Sequence, residues 1–279
     1  MTRCVGMLLL TIVLVAGPAH AGPGSRILAT GGASPIEGGS GGGLSPWATI
    51  TGYASSGETG FTAFATHVSV ADFGLTTAGA AVGWHDRVEA SFARQRLQVD
   101  PLDMTLEQHV YGVKVRVLGS LLYTPWPQVS VGAQHKRHRD FALPAALGAR
   151  DDSGTDVYLS ASRLWFAAVA GRNLFANVTA RRTRAVETGL LGFGGDRNGH
   201  RTVLETSLAV FLTDRWVVGY EYRQKPDLLD SVRERDWQDA FIAYFPSKRV
   251  SVVAARVNLD EIANLPGQDG WYLSMQVAW

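Results

Sequence analysis

Charged side chains in this sequence recur at every second position within otherwise apolar stretches. In residues 109–118, for example, Lys114 and Arg116 alternate with Val113, Val115 and Val117. Because successive side chains of a β-strand point to opposite faces, such charges share one face of a sheet. The positions of this kind are Glu89, Lys114, Arg116, Arg181, Glu205, Glu221 and Arg223. Groups of both signs on one face either pair with each other or line a narrow water-filled path with weak ion preference.

Two histidines suggest a different chemistry. His109 and His135 have the parity of the apolar face and lie on predicted strands that follow each other in the chain. A histidine that activates a neighbouring serine is the arrangement of an acyl hydrolase. No serine on these strands is obviously paired with either ring, and amphipathic rings are also favoured at membrane interfaces for reasons unrelated to catalysis. We therefore predict no catalytic residues.

A third set of polar residues lies in the glycine-rich stretch 192–199, where Asp196 and Asn198 offer oxygen ligands. Calcium loops need more carboxylates at fixed positions than this stretch provides. Gly, Asp and Asn are also the residues that tolerate left-handed backbone, so the stretch is typical of an ordered, turn-rich loop. The sequence predicts neither a metal site nor a cofactor.

The elements that position these residues are predicted to be β-strands. From Trp47 to Trp279 we find thirteen segments of roughly 9 to 11 residues with alternating hydrophobicity, the length that a tilted strand needs to cross a bilayer. The predicted segments are 47–54, 61–70, 75–84, 88–97, 109–118, 128–136, 156–165, 173–181, 203–212, 216–225, 237–245, 250–258 and 271–279. With 31 glycines and a near-zero mean hydropathy of +0.02, the composition fits many half-apolar strands joined by turns.

The connections between these segments alternate in length. Short ones cover residues 85–87, 213–215 and 246–249, and long ones cover residues 99–106, 137–155, 185–202, 226–236 and 259–270. Outer-membrane barrels have tight turns at the periplasmic end and long loops outside. If the last strand ends in the periplasm, all three short turns fall inside and all five long loops fall outside, whereas the short connection 71–74 breaks the rule.

We predict an all-β, transmembrane antiparallel β-barrel over residues 47–279. Bacterial barrels usually have an even number of strands. Residues 25–30 supply a first strand and make fourteen, which is our main prediction. If that stretch and one weak segment remain in the lumen, the number is twelve.

The last nine residues alternate large apolar side chains with small or polar ones. This pattern resembles the closing strand and assembly signal of bacterial outer-membrane barrels, and it indicates Tyr272 and Trp279 as the signal residues. At the other terminus, Arg3, an apolar run and Ala19-His20-Ala21 predict a signal peptide over residues 1–21, cleaved after Ala21. Cleavage also removes Cys4, the only cysteine, and leaves 25 basic against 25 acidic residues. No nucleic-acid partner is implied.

Residues 31–43 contain seven glycines and one charged residue, Glu37. Within the N-terminal segment 22–46, this stretch is either a flexible linker or a segment pressed against the barrel wall, because missing side chains permit close approach of the backbone. In the second case, Glu37 faces basic lumen groups such as Lys114 and Arg116.

Four stretches resemble a bacterial outer-membrane family known only as domain of unknown function 3034. They are RILATGGASPIE (26–37) with GLSPW (43–47), DRVEASFARQR (86–96), GAQHK (132–136) and GLLGFGGDRN (189–198). With the last strand they cover nearly the whole exported chain. The resemblance implies a barrel in the outer membrane and brings no catalytic residues.

The function that we expect is a narrow passive channel or a small-molecule uptake component whose lumen charges set selectivity. The alternatives are an outer-leaflet lipid-modifying enzyme that uses His109 or His135, and a structural or surface-interaction barrel. The expected location is the outer membrane. Expected partners are its lipid and lipopolysaccharide, the barrel-assembly machinery and periplasmic chaperones.

Overall fold

The alternation of apolar and polar side chains closes into an antiparallel β-barrel of twelve strands. The computed structural model describes residues 24–197 and 199–279. The predicted signal peptide therefore lies outside the described residues. The first and last strands pair directly, with Thr62 opposite Ala278, so the wall has no free edge.

The barrel strands are numbered in chain order. They are β1 Thr59–Ser69, β2 Phe73–Trp84, β3 Val88–Val99, β4 Met104–Leu118, β5 Gln128–His138, β6 Ser153–Val169, β7 Arg172–Thr183, β8 Arg201–Phe211, β9 Trp216–Arg223, β10 Trp237–Ser247, β11 Val250–Asn258 and β12 Asp269–Ala278. The connections contain short elements: α1 Ala142–Ala146, the 3₁₀ turns Asp100–Leu102 and Val186–Gly189, and a small hairpin that pairs Glu261–Ile262 with Leu265–Pro266.

The two faces of the wall differ in the way that the sequence predicts. On β12, Trp271 and Leu273 are 64% and 57% exposed on the outer face, whereas Tyr272 between them is 1% exposed inside. On β4 the outer Val113 is 53% exposed and the neighbouring Lys114 only 1%. An apolar outside and a polar inside is the distribution of a barrel that faces lipid.

The connections at the two ends of the barrel differ in length. The end that carries Trp279, called here the turn end, has the connections 85–87, 119–127, 170–171, 212–215 and 248–249. The opposite end, called the loop end, has 70–72, 100–103, 139–152, 184–200, 224–236 and 259–268. The four longest connections, 139–152, 184–200, 224–236 and 259–268, lie at the loop end as predicted. The predicted long loop 99–106 is instead the short connection 100–103, because β3 and β4 are longer than predicted, and the connection between β1 and β2 is the short exception that the sequence showed.

The main prediction of fourteen strands is wrong, and the alternative of twelve is confirmed. Residues 25–30 and 47–54 form no strand of the barrel, and β1 begins at Thr59. Residues 47–54 are buried inside the barrel, whereas residues 25–30 lie at its turn end, where Ser25 and Ile27 are exposed. Residues 47–54 do alternate in hydrophobicity. However, the backbone N–H groups of Ala48 and Thr51 bond to side chains of the wall, Ser162 Oγ at 2.9 Å and Glu89 Oε2 at 2.7 Å, and not to a neighbouring strand.

Within the described residues, no α-helix combines the length and the apolar character needed to span a bilayer.

Candidate functional site

The lumen is occupied by the chain's own N-terminal part, residues 24–58, called here the lumen segment. It begins at the turn end, where Lys248 Nζ donates to Gly24 O at 2.9 Å and Arg26 pairs with Asp86 at 3.1 Å. It returns to the same end to start β1. Every residue from 29 to 54 is buried.

The glycines of this segment allow its backbone to touch the wall. A Cβ added to Gly42 would lie 2.0 Å from Glu221 Oε1, far inside contact distance. Close approach lets the Glu221 carboxylate accept the N–H groups of Gly43 and Leu44, the latter at 2.8 Å, and the Ser45 hydroxyl at 3.0 Å. The glycine-rich stretch is therefore not a flexible linker but a segment that packs against the barrel wall, the second of the two alternatives that the sequence left open.

Five adjacent strands, β5 to β9, carry inward charges of alternating sign. Measured between nitrogen and oxygen, successive ion pairs are 2.8, 3.3, 2.6 and 3.5 Å long. The members of this charge ladder are, in order, Lys136, Asp156, Arg181, Glu205 and Arg223. All five side chains are at most 4% exposed. With three positive and two negative members, the ladder has a net charge of +1.

Glu37 of the lumen segment supplies the missing negative charge. Arg223 binds its carboxylate with two nitrogens, at 2.8 Å to Oε2 and 3.0 Å to Oε1. Arg181 adds a contact of 3.1 Å to Oε2, and Lys136 Nζ bonds to Oε1. Each carboxylate oxygen thus has two cationic nitrogens, and the buried cluster becomes neutral. A buried charge is tolerated only with such pairing and hydrogen bonding.

The predicted partners of Glu37 are therefore wrong: it faces basic groups, but not Lys114 or Arg116. Lys114 pairs with Glu89 on the neighbouring strand at 3.0 Å and donates to two carbonyls of the lumen segment, Ser40 O and Thr49 O, at 2.8 and 2.9 Å. Arg116 lies at the turn end and pairs with Asp86. The two basic side chains are fully engaged elsewhere, which leaves Glu37 to the ladder.

The remaining predicted lumen charges, Glu89, Arg181, Glu205, Glu221 and Arg223, all point inward and are at most 3% exposed. The sequence analysis missed Lys136 and Asp156. Both have the inward parity of their predicted strands, beside Gln134 and Tyr158 respectively, so the same alternation could have identified them. Which of these charges meet across the barrel depends on strand register, and no local pattern contains that information.

At the loop end, residues 185–195 fold inward and are buried. This inward loop and the loop 224–236 meet around Lys225, whose Nζ bonds to Glu187 Oε2, while Glu234 Oε1 accepts the Glu187 N–H at 2.8 Å. Burial raises the pKa of Glu187, although Lys225 opposes the shift. Burial, and secondly the Glu187 carboxylate, raise the pKa of Glu234 to about 7.

This arrangement predicts that the loop end loosens as pH rises. Because the pKa of Glu234 in the closed loops lies above its ordinary value of 4.5, the protonated form stabilises the closed loops, and this contribution is lost between pH 4.5 and about 7. Lys225 offers one charge to two carboxylates, and of the other two charged groups that act on Glu187, Arg223 is basic and Glu261 is acidic. We expect the equilibrium constant for opening of residues 186–195 to rise up to roughly 100-fold over that pH window.

Hydrogen exchange of the amides of these residues from pH 5 to pH 7.5, corrected for intrinsic exchange rates, measures this equilibrium constant. Glu234→Gln should give a much shallower profile, because only the smaller contribution of Glu187 remains, and an equally steep profile in that variant would contradict the assignment.

Two cavities flank the buried part of the lumen segment. The turn-end cavity has a volume of about 440 Å³, and its polar lining includes Arg26, Asp86, Arg116 and Gln128. The loop-end cavity is much smaller, about 30 Å³, and is lined mostly by apolar groups such as Ile36, Leu190 and Trp237. Residues 29–54 lie between the turn-end mouth and the loops, so the barrel as observed is closed.

The two histidines lie on the outer face near the loop end. His135 Nδ1 is 3.0 Å from the Thr155 hydroxyl, and His109 Nε2 is 3.1 Å from a Glu107 carboxylate oxygen. Neither ring has a hydrogen bond to a serine in the part of the chain that the structure describes. In that same part, no group of three or more His, Cys, Asp or Glu side chains is arranged to hold a metal ion. Asn198, one of the two oxygen donors considered above, is outside the described residues.

The residues of the proposed assembly signal lie on opposite faces of the barrel. Trp279 is 43% exposed at the turn end, whereas Tyr272 points inward and its hydroxyl donates to Ser34 O of the lumen segment at 3.4 Å. Tyr272 thus also contacts the segment that fills the barrel. The role of Tyr272 and Trp279 in assembly stays a prediction.

Comparison with known proteins agrees with the fold. A family model described as "Protein of unknown function (DUF3034)" matches residues 30–276. Among solved structures, the KdgM porin is similar with a TM-score of 0.51 and 9% identity, covering 78% of this chain and 99% of the porin. The NanC porin gives a TM-score of 0.50 and 10% identity, covering 78% of this chain and 98% of the porin. No curated protein matches the sequence. At these identities the two porins show a shared barrel fold and nothing further.

Proposed function

This chain belongs to the DUF3034 family, and from the geometry of its lumen we propose that it is an outer-membrane channel for small solutes that its own N-terminal segment closes. The proposal places the exported chain in the outer membrane, in contact with lipid and lipopolysaccharide. Periplasmic chaperones and the barrel-assembly machinery are the partners that deliver it there. The apolar outer face and the sorting of turns and loops support that location.

One observation carries the channel proposal: the lumen segment is attached to the wall through side chains. In the described structure, no backbone-to-backbone hydrogen bond joins residues 24–57 to the barrel strands. The twelve strands close on themselves through β1 and β12 without the segment. Displacement of the segment therefore breaks side-chain contacts but no strand pairing, and it leaves the twelve-strand barrel intact. Opening also moves the inward loop 185–195, which lies in the lumen at the loop end.

A reversible covalent lock tests this proposal. Ser45 of the lumen segment and Ser207 of β8 have their Oγ atoms 2.9 Å apart, so cysteines at these two positions bring their sulfur atoms into contact, where oxidation can join them. The chain expressed from Gly22 has no cysteine of its own, because Cys4 precedes it. We expect the double variant Ser45→Cys/Ser207→Cys to be silent in planar bilayers when oxidised. Addition of a reductant should restore the conductance of the unmodified chain.

The single variants Ser45→Cys and Ser207→Cys are matched controls that carry a thiol but cannot form the lock. Their conductance should not respond to oxidant or reductant. Equal currents from the oxidised and the reduced double variant would show that ions do not pass where the lumen segment lies. An unmodified chain that is silent at all voltages would refute the channel and favour a structural or surface-interaction role.

A further inference from the structure

The site that holds Glu37 has the chemistry of a carboxylate receptor. Lys136, Arg181 and Arg223 belong to the barrel wall, and Glu37 belongs to the segment that fills it. The Arg223 guanidinium uses two parallel N–H groups, the geometry with which arginine recognises planar carboxylates. Three cations of the wall thus converge on one carboxylate.

The wall itself does not neutralise these three cations. Asp156 and Glu205 lie between them in the ladder and provide only two negative charges. When the lumen segment withdraws, the ladder keeps one uncompensated positive charge at the level of Glu37. In the described structure, the other inward carboxylates of the neighbouring wall make no contact with the three cations: Glu89 pairs with Lys114, Glu221 binds the segment's amides and the Ser207 hydroxyl, and the Asp239 carboxylate on β10 has no hydrogen-bond partner. The vacated site therefore attracts one anion.

We propose that Lys136, Arg181 and Arg223 form a binding site for a small solute bearing a carboxylate group, and that Glu37 occupies this site as an internal ligand while the channel is closed. This inference rests on the proposed channel function, because the solute reaches the site only when the lumen segment moves. Solute and segment then compete for the same three side chains. An arriving carboxylate replaces the contacts that the closed state loses.

The site is tested directly by removal of the internal ligand and supply of a free one. In Glu37→Ala, sodium formate is expected to raise the midpoint of thermal unfolding of the detergent-solubilised barrel by roughly 5–10 °C at saturating concentration. Sodium chloride at the same ionic strength should have little effect, because a spherical anion cannot accept the Arg223 fork in the bidentate manner. Addition of Arg223→Gln to Glu37→Ala should abolish the formate effect.

Two controls complete this experiment. The unmodified chain already holds a carboxylate in the site and should respond weakly to formate. Glu58→Ala, the same substitution at an exposed glutamate of the lumen segment, should respond as weakly. Equal shifts by formate and chloride, or a formate shift that survives Arg223→Gln, would overturn the proposed site.

A second variant covers the case in which Glu37→Ala does not fold. Glu37→Gln keeps the side-chain volume and removes the charge, and its reversal potential in a tenfold KCl gradient should show preference for the anion. Preference for the cation would overturn the site. Failure of the proposed channel and failure of the proposed site give different results. A barrel that never conducts but is stabilised by formate refutes the channel and supports the carboxylate site. A barrel that conducts but shows no formate effect supports the channel and refutes the carboxylate site.

Discussion

Glu37→Gln is expected to raise the ratio of open to closed dwell time of the channel by roughly two to three orders of magnitude. Removal of one partner from a buried charge cluster costs about 3–5 kcal/mol, because the remaining charges stay buried without compensation. Here that cost falls on the closed state alone. In the open state water reaches Lys136, Arg181 and Arg223, so the equilibrium shifts towards it. Single-channel recording in planar bilayers measures both dwell times.

The matched control is Glu58→Gln, which makes the same change at an exposed residue near the end of the lumen segment. Glu58 bonds to Ser55 and Ser25 outside the barrel interior, so its replacement should leave the dwell times within a factor of about three. Unchanged dwell times in Glu37→Gln would mean that the charge of Glu37 does not hold the segment in place. The gate would then have to be sought in the backbone contacts to Glu89, Lys114 and Glu221.

Arg181→Ala is expected to lower the free energy of unfolding of the barrel by about 3–5 kcal/mol. Arg181 lies at the centre of the charge ladder. It contacts Glu205 at 2.6 Å, Asp156 at 3.3 Å and Glu37 at 3.1 Å, and it also donates to Gln134 Oε1 at 2.6 Å. Without it, three buried carboxylates share two cations, and one of them must take up a proton or remain uncompensated. Urea unfolding in lipid vesicles, followed by tryptophan fluorescence, measures the loss.

The neighbouring residue provides a control of the same type on the same strand. Arg182 points to the outer face and is exposed, so Arg182→Ala should change the free energy of unfolding by less than about 1 kcal/mol. Comparable losses in both variants would show that β7 tolerates no alanine at this level, and they would remove the argument for a special role of the ladder. A large loss in Arg181→Ala alone supports it.

The ladder also explains why barrel and lumen segment depend on each other. Five adjacent strands provide charges that alternate in sign, but an odd number of them cannot balance. Glu37 adds a third negative charge, which balances the three positive charges of the ladder. The ladder is therefore electrostatically neutral only when the segment, or another carboxylate, is present at that position. This incompleteness couples gating to solute binding in the proposed mechanism.

Much of this architecture is readable from the sequence. The alternation of Lys114 and Arg116 with valines determines which face of β4 is polar, because a strand has a fixed period of two. The lengths of the four longest connections place them correctly at the loop end, whereas length alone misplaces the short connections 70–72 and 100–103. The resemblance to the DUF3034 family is confirmed by the family match over residues 30–276.

The predictions that were wrong, on residues 47–54 and on the partners of Glu37, have a common origin. Residues 47–54 alternate like a strand, yet they lie in the lumen, since a segment that touches a barrel wall on all sides satisfies its N–H groups with wall side chains such as Ser162 and Glu89. Periodicity reports which side chains can be buried, but not what buries them. The same limit applies to Glu37: its single charge indicated a basic partner, but it pointed to the wrong lysine and arginine.

The sequence by itself determined that the chain forms strands with one apolar and one charged face, because that information lies between neighbouring residues. Only the tertiary structure decided that twelve strands suffice, that the N-terminal segment fills the space they enclose, and that Glu37 meets Lys136, Arg181 and Arg223. Those contacts join residues 99 and 186 positions apart in the chain. They arise from the register of twelve strands around a closed circle, and a register is a property of the whole barrel.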